Sequence, residues 1–290
     1  MKRADAALAR QKAEELLREL GITALPVDPF AIAAGRNIIV QKKPDTAAKG
    51  MSGLLMRVGD AFGIMYATHI ESEGFQRFSV AHELGHYFLP GHIDAVLTNG
   101  AHESRAGYVS DDPYEKEADH FAAGLLMPDR LFKSALIKAS DGLEGIYELA
   151  NLCGTSITAT AIRYVDKASI PVAIVVSTGP RMDYAFLSTA MQDFPNLEWP
   201  RKGNPIPGGT LTDRFNRDQQ NILQARRDTA TSSLKDWFGY GRDVEVLEEV
   251  VGLGSYGKTL TVISSDTFAD EDAEEESLEE SWSPKFARGR

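Results

Sequence analysis

A chain of 290 residues with 43% hydrophobic content can bury one large core or two smaller ones. Its formal net charge of −11 has the wrong sign for a general nucleic-acid binder, and much of it is local, with eight carboxylates between Asp270 and Glu280. The single cysteine, Cys153, excludes an intrachain disulfide framework. No apolar run approaches a membrane span, and Glu14, Glu15 and Arg18 interrupt what would be the apolar part of a secretion signal, so the chain reads as soluble and cytoplasmic.

Residues 4–20 are predicted to form an amphipathic helix, with Ala9, Ala13, Leu16, Leu17 and Leu20 on one face and Gly21 as its stop. Asp28-Pro29 opens a short second helix that Gly35 ends, and Ile38 to Val40 begin a strand. Leu54–Val58 and Phe62–Tyr66 flank Gly59-Asp60 as a hairpin. Residues 71–89 form the third helix, stopped by Pro90-Gly91. A polar connection over 92–112 is expected to carry His92 and His102 as exposed loop histidines or as donors to a reacting oxygen. Residues 113–127 form a fourth helix, with Pro128 ending it.

Two short helices around Gly154-Thr155-Ser156 resemble a helix-turn-helix over residues 141–168. Asp141, Glu144, Glu148 and Asp166 outnumber Arg163 and Lys167 there, which opposes the phosphate contacts that DNA affinity needs, so direct DNA binding is not expected. A structural or docking role fits that unit better. Cys153 reads as a small buried hydrophobe. Residues 169–265 read as an α+β module: strands over 170–176, 184–187, 244–251 and 258–263, a Pro/Gly-rich loop over 196–209, and a helix over 213–227. The tail over 266–290 is acidic and reads as a solvated run or a mimic of DNA.

The chemistry concentrates in the third helix. His82-Glu83-Leu84-Gly85-His86 places two imidazoles four residues apart, on one helix face, with a carboxylate one step around. Two neutral nitrogen ligands with an acid beside a bound water are what a single-metal hydrolase needs. With six histidines in the chain, chance placement of this string is expected only about 0.01 times. The competing reading is a pair of core histidines on an apolar helix. A third protein ligand is needed. His92 has metzincin spacing, but the glycine that turns the chain in that pattern is replaced by Leu89. Glu115, on the following helix, gives the His₂Glu solution and is preferred, with Glu117 as the alternative if the helix phase differs. Asp119, four residues after Glu115, can accept the N–H of a ligand histidine. Gly85, costly inside a helix, calls for a close backbone neighbour.

Arg77-Phe-Ser-Val-Ala-His-Glu-Leu-Gly-His86, followed by Glu115-x-x-Ala118-Asp119-x-Phe121-Ala122-x-x-Leu125-Leu126-Met127-Pro128, resembles the ImmA/IrrE family of metallopeptidases. The matching motifs lie in residues 77–128. One departure is Asp119, where many relatives carry Asn; either accepts a hydrogen bond. The resemblance implies His82, His86 and Glu115 as metal ligands and Glu83 as general base. It implies one divalent ion, zinc first, with Mn²⁺ or Fe²⁺ also acceptable to such a set. It further implies an intracellular bacterial or phage endopeptidase whose protein substrate is a helix-turn-helix repressor, cut to release stress or mobile-element genes. The fold expected is α+β: a zincin-like domain over 1–140, the helical unit 141–168, a C-terminal α+β domain over 169–265 and the tail 266–290. Relatives often carry a GAF-like sensory domain in the third position; a docking surface is the alternative. The rival function is a catalytically silent adaptor that binds a repressor through residues 141–290, against which the intact His82, Glu83, His86 and Glu115 set speaks.

Overall fold

The computed structural model describes residues 3–44, 50–104, 111–239 and 244–269. It divides into two compact units, Met1–Ala139 with Tyr147–Thr160, and Ser140–Ile146 with Ala161–Arg290. Most of the acidic tail, residues 270–290, lies outside the described residues. No helix among the described residues is long and apolar enough to cross a membrane.

In the first unit, α1 (Ala6–Glu19) starts at Asp5, whose side chain accepts from Leu8 N, and buries Ala9, Ala13, Leu16 and Leu17. Leu20 falls past the helix end and is exposed, unlike the expected stripe. Asp28 caps α2 (Pro29–Gly35), with proline at its first turn. A four-stranded sheet follows in the order β1-β3-β2-β4, from β1 (Ile39–Lys42), β2 (Gly53–Val58), β3 (Ala61–Tyr66) and β4 (Ala101–Ser104). β2 and β3 form the hairpin around Gly59, whose φ of 61° is left-handed. β1 runs parallel to β3, and β4 runs antiparallel to β2.

α3 (Glu73–Phe88) begins at Ser72, which accepts from Phe75 N. α4 (His92–Val96), α5 (Pro113–Leu126) and α6 (Asp129–Leu136) complete the unit's own helices. Val80, Ala81 and Leu84 of α3 meet Phe121, Ala122 and Leu125 of α5, with Leu55 and Ile64 of the hairpin, in one core. Each fully buried leucine there is worth about 1.5–3 kcal/mol over exposure. The 92–112 connection is thus not a plain polar loop. It holds α4 and β4; His92 is fully buried and His102 is partly buried, because both turn toward the carboxylates of α5. Residues 105–110 within it lie outside the described residues.

α7 (Gly142–Cys153) and α8 (Ile157–Lys167) follow, and Cys153 is buried. The turn between them is held within the first unit. Gly154 has φ 64°, and a Cβ there would lie 2.8 Å from Arg77 Nε. Arg77 in turn donates to Val27 O, tying the base of α3 to the segment before α2.

The second unit is a five-stranded antiparallel sheet in the order β6-β5-β9-β8-β7, built from β5 (Val172–Thr178), β6 (Arg181–Leu187), β7 (Arg227–Ser233), β8 (Glu245–Gly252) and β9 (Thr259–Ser264). Its short helices are α9 (Thr189–Gln192), α10 (Leu211–Asn216), α11 (Gln219–Leu223) and α12 (Leu234–Phe238). The single helix expected over 213–227 is instead α10 and α11. Asp218 breaks it by accepting Gln220 N as a new cap. Arg227 starts β7, a strand the sequence reading did not contain; its Thr- and Ser-rich segment pairs along β8. The unit's core clusters gather around Val175, Phe238 and Ile263 and around Phe215 and Val250.

Candidate metal centre

α3 and α5 pack against each other at Gly85. A Cβ on Gly85 would stand 3.0 Å from Ala118 Cα and 3.2 Å from its carbonyl oxygen. This is the close backbone approach that the glycine calls for. Ala118 is one turn beyond Glu115 and adjacent to Asp119, so the approach brings both carboxylates to the histidine face of α3.

His82, His86 and Glu115 each offer a ligand atom, and these atoms lie within 4.8 Å of one another. His82 Nε2 is 3.1 Å from His86 Nε2. Glu115 Oε2 is 3.4 Å from His82 Nε2, and its Oε1 is 3.2 Å from His86 Nε2. A tetrahedral ion with bonds of about 2.0–2.1 Å separates its ligand atoms by about 3.3–3.4 Å. The two histidine nitrogens, with one Glu115 oxygen beside each, are spaced on that scale, and the residues of this donor triangle fit a zinc-sized divalent ion. Asp119 Oδ1 lies 2.9 Å from His82 Nδ1, the ring nitrogen facing away from the triangle. His82 and His86 are buried, and Glu115 is partly exposed.

Between burial and the carboxylates of α5, His82 and His86 shift in opposite directions. Burial opposes charge on His82, yet hydrogen bonds that it donates to Asp119 and Glu115 push it up to about 10. Burial brings His86 down to about 3, the neutral form a metal ligand needs. Glu115 is drawn far below the ordinary carboxylate range; burial resists this, and hydrogen bonds from His102, His82 and His86 prevail.

Glu83 is fully buried beside this triangle, and among the described residues neither of its oxygens has a hydrogen-bond partner. Burial pushes its carboxyl up to about 7, with His82 and the nearby Ser104 hydroxyl acting against the rise. Its seat is made by Gly53 of β2, where a Cβ would lie 2.3 Å from Glu83 Oε1. An unpartnered carboxyl with a raised affinity for protons, next to a metal-sized donor set, is equipped to take a proton from a bound water.

The other candidates separate cleanly. His102 of β4 lies beside the donors: its Nε2 is 2.7 Å from Glu115 Oε1 and its ring centroid 4.7 Å from that of His86. His92, the metzincin-like candidate, stands on the other side of His86, with its Nδ1 3.2 Å from His86 Nδ1. Its Nε2 faces Glu117 Oε2 at 2.8 Å, so the two alternative ligands pair with each other, with His92 meeting His86 through the ring nitrogen that faces away from Glu115. Sequence reasoning missed Gly53 and Ser104. A glycine at the start of a strand was the one available signal, and it carries no address.

Residues 43–164 match the family model Peptidase_M78, described as the IrrE N-terminal-like domain. No curated protein matches the chain in sequence. Among solved structures, a Mycobacterium tuberculosis transcriptional regulator is similar, with a TM-score of 0.54 over 89% of this chain and 75% of that chain at 16% identity. That likeness is one of fold.

Proposed function

We propose that this chain, whose residues 43–164 match the IrrE N-terminal-like domain model, is a metal-dependent endopeptidase of the ImmA/IrrE kind that makes a specific cut in a helix-turn-helix repressor. The single observation that carries the reading is the juxtaposition of the His82, His86 and Glu115 donors at 3.1 to 3.4 Å with the unpartnered, buried Glu83. His82, His86 and Glu115 hold one divalent ion, zinc first, with Mn²⁺ or Fe²⁺ as alternatives. When bound, the ion polarises the scissile carbonyl and acidifies the attacking water. Glu83 takes the water proton and returns it to the leaving amide nitrogen. Asp119 accepts Nδ1–H of His82, which leaves Nε2 as the ligand atom. His102, on β4 at 2.7 Å from Glu115, is placed to orient that carboxylate or to donate to the developing oxyanion.

β4 stands at the end of its sheet and has β2 as its one strand partner among the described residues. An extended substrate segment would add along its outer edge, beside the metal donors, by strand addition. This supplies backbone recognition without a deep pocket. We assign the helical unit 141–168 and the module 169–265 to repressor docking or to sensing, the latter on a GAF-like scaffold, with cleavage confined to 1–140. The name of the M. tuberculosis neighbour, a transcriptional regulator, accords with a regulatory target.

The test is metal content and cleavage in parallel. Wild-type protein is expected to hold about one ion per chain, Glu115→Ala to lose it, and Glu83→Gln to keep it while losing cleavage of the repressor by about 10²–10⁴-fold. Derepression that survives Glu83→Gln would transfer the function to binding alone.

A further inference from the structure

We propose that His92 and Glu117 form a relay that fixes the tautomer and aim of His86, making them positioning residues of the metal centre; this rests on the metal-centre reading above. A neutral imidazole carries one ring proton. If His86 offers Nε2 to a metal, as the donor triangle requires, its proton sits on Nδ1 and needs an acceptor. The atom 3.2 Å from His86 Nδ1 is Nδ1 of His92. That nitrogen accepts only when the His92 proton is on Nε2. Glu117 Oε2 lies 2.8 Å from His92 Nε2, and a carboxylate, which only accepts, selects that tautomer. The other oxygen of Glu117 accepts Asp5 N at 2.9 Å, so the start of α1 holds the relay's far end.

The donor directions therefore close without conflict, from Asp5 N–H to Glu117, from His92 Nε2–H to Glu117, and from His86 Nδ1–H to His92. The arrangement parallels His82, whose Nδ1 meets Asp119 directly at 2.9 Å. One ligand histidine has a carboxylate next to it; the other has a carboxylate one imidazole away. His86 and His92 are fully buried and Glu117 is nearly so. The Tyr114 ring meets His92 edge-on at 4.9 Å and limits its rotation. The same two residues that sequence spacing offers as alternative ligands thus acquire a role that does not touch the ion.

The experiment uses the full chain and measures the zinc dissociation constant by chelator competition for the parent, His92→Phe, His92→Asn and Glu117→Gln. Nitrogen-15 spectra of the histidines follow the His86 tautomer in the zinc-loaded protein. A cavity of about 330 Å³ bordered by His92, Glu117, Asp5 and Pro90 gives the phenyl ring room. His92→Phe is expected to weaken zinc binding by about 10- to 100-fold. His92→Asn, whose carbonyl oxygen falls near the lost Nδ1, is expected to recover part of this, and Glu117→Gln to fall between parent and His92→Phe. The parent spectrum is expected to show His86 protonated at Nδ1. A packing role alone predicts the reverse order, with Asn worse than Phe. Affinity in His92→Phe within twofold of the parent, or zinc bound through His86 Nδ1, overturns the relay while leaving the metal centre standing. A parent that takes up no zinc overturns the metal centre itself. Should His92→Phe not fold, the Asn and Gln variants and the parent tautomer decide the matter.

Discussion

Glu83 is the side chain on which hydrolysis would turn, and its position depends on a residue with no side chain. A Cβ at residue 53 would fall 2.3 Å from Glu83 Oε1. Glu83 is fully buried, so the carboxyl cannot swing into solvent to make way. Gly53→Ala is therefore expected to displace the base from its working position while leaving the three donors on α3 and α5 in place. Misplacement on the order of 1 Å costs about 10²-fold in rate. Expected values are thus a kcat lower by roughly that factor with about one bound ion per chain retained. Unchanged kcat would mean that the carboxyl has room to yield, or that Glu83 does not act from the position seen here. The ligand-type residues were legible at this scale because HExxH spacing makes a local geometric statement: one helix, one face. Gly53 was not, since its role arises only when β2 is laid against α3. The His92–Glu117 pairing was hidden for the same reason. Either residue alone looks like a possible ligand, and only the fold shows that they face each other across the far side of His86.

Helices α3 and α5 carry every donor, and their separation sets the donor triangle. Gly85→Ala would place a Cβ 3.0 Å from Ala118 Cα and 3.3 Å from Ala118 Cβ, against a backbone that cannot rotate away. Alanine improves helix propensity by about 1 kcal/mol. Overpacking in a close helix contact costs about 1–3 kcal/mol. The balance is expected to be destabilising, with a lower denaturant midpoint for the first unit. Moving α5 outward also withdraws Glu115, so zinc affinity should fall in the same variant. A Gly85→Ala protein of parental stability and affinity would show that the interface can open without cost. The elements themselves divide by length. α3 and α5 were readable because each runs three or more turns with a capping side chain, Ser72 and Asp112, and an apolar face. The β2–β3 hairpin was readable from Gly59-Asp60. α4, α6 and α12 have eight residues or fewer and give little periodicity to read. β7 was masked by a polar, Thr-rich composition, and its strand state comes from pairing with β8, which is sequence-distant information.

For the molecule as a whole, the decisive feature is that each of the two units has a core cluster of its own among the described residues. The first gathers around α1, α3, α5 and the hairpin. The second gathers around its own five-stranded sheet. All metal donors, the base Glu83 and the His92–Glu117 pair belong to the first. An ion that binds the native state of one unit stabilises that unit by RT ln(1 + [L]/Kd), about 2.7 kcal/mol at a hundredfold excess over Kd. For a unit of roughly 150 residues, a change of 1 kcal/mol moves the midpoint by about 2–4 °C, so zinc should raise the first unit's transition by about 5–11 °C. The second unit's transition should stay where it is. Calorimetry of the full chain with zinc and with a chelator, compared with Glu115→Ala, separates the possibilities. Two transitions of which one moves, and none in Glu115→Ala, place the ion in the first unit. A single transition that shifts as one would mean that the units fold cooperatively, and the module over 169–265 could then sense the state of the metal centre through stability alone. A shift that persists in Glu115→Ala would mean that zinc binds somewhere other than the donor triangle.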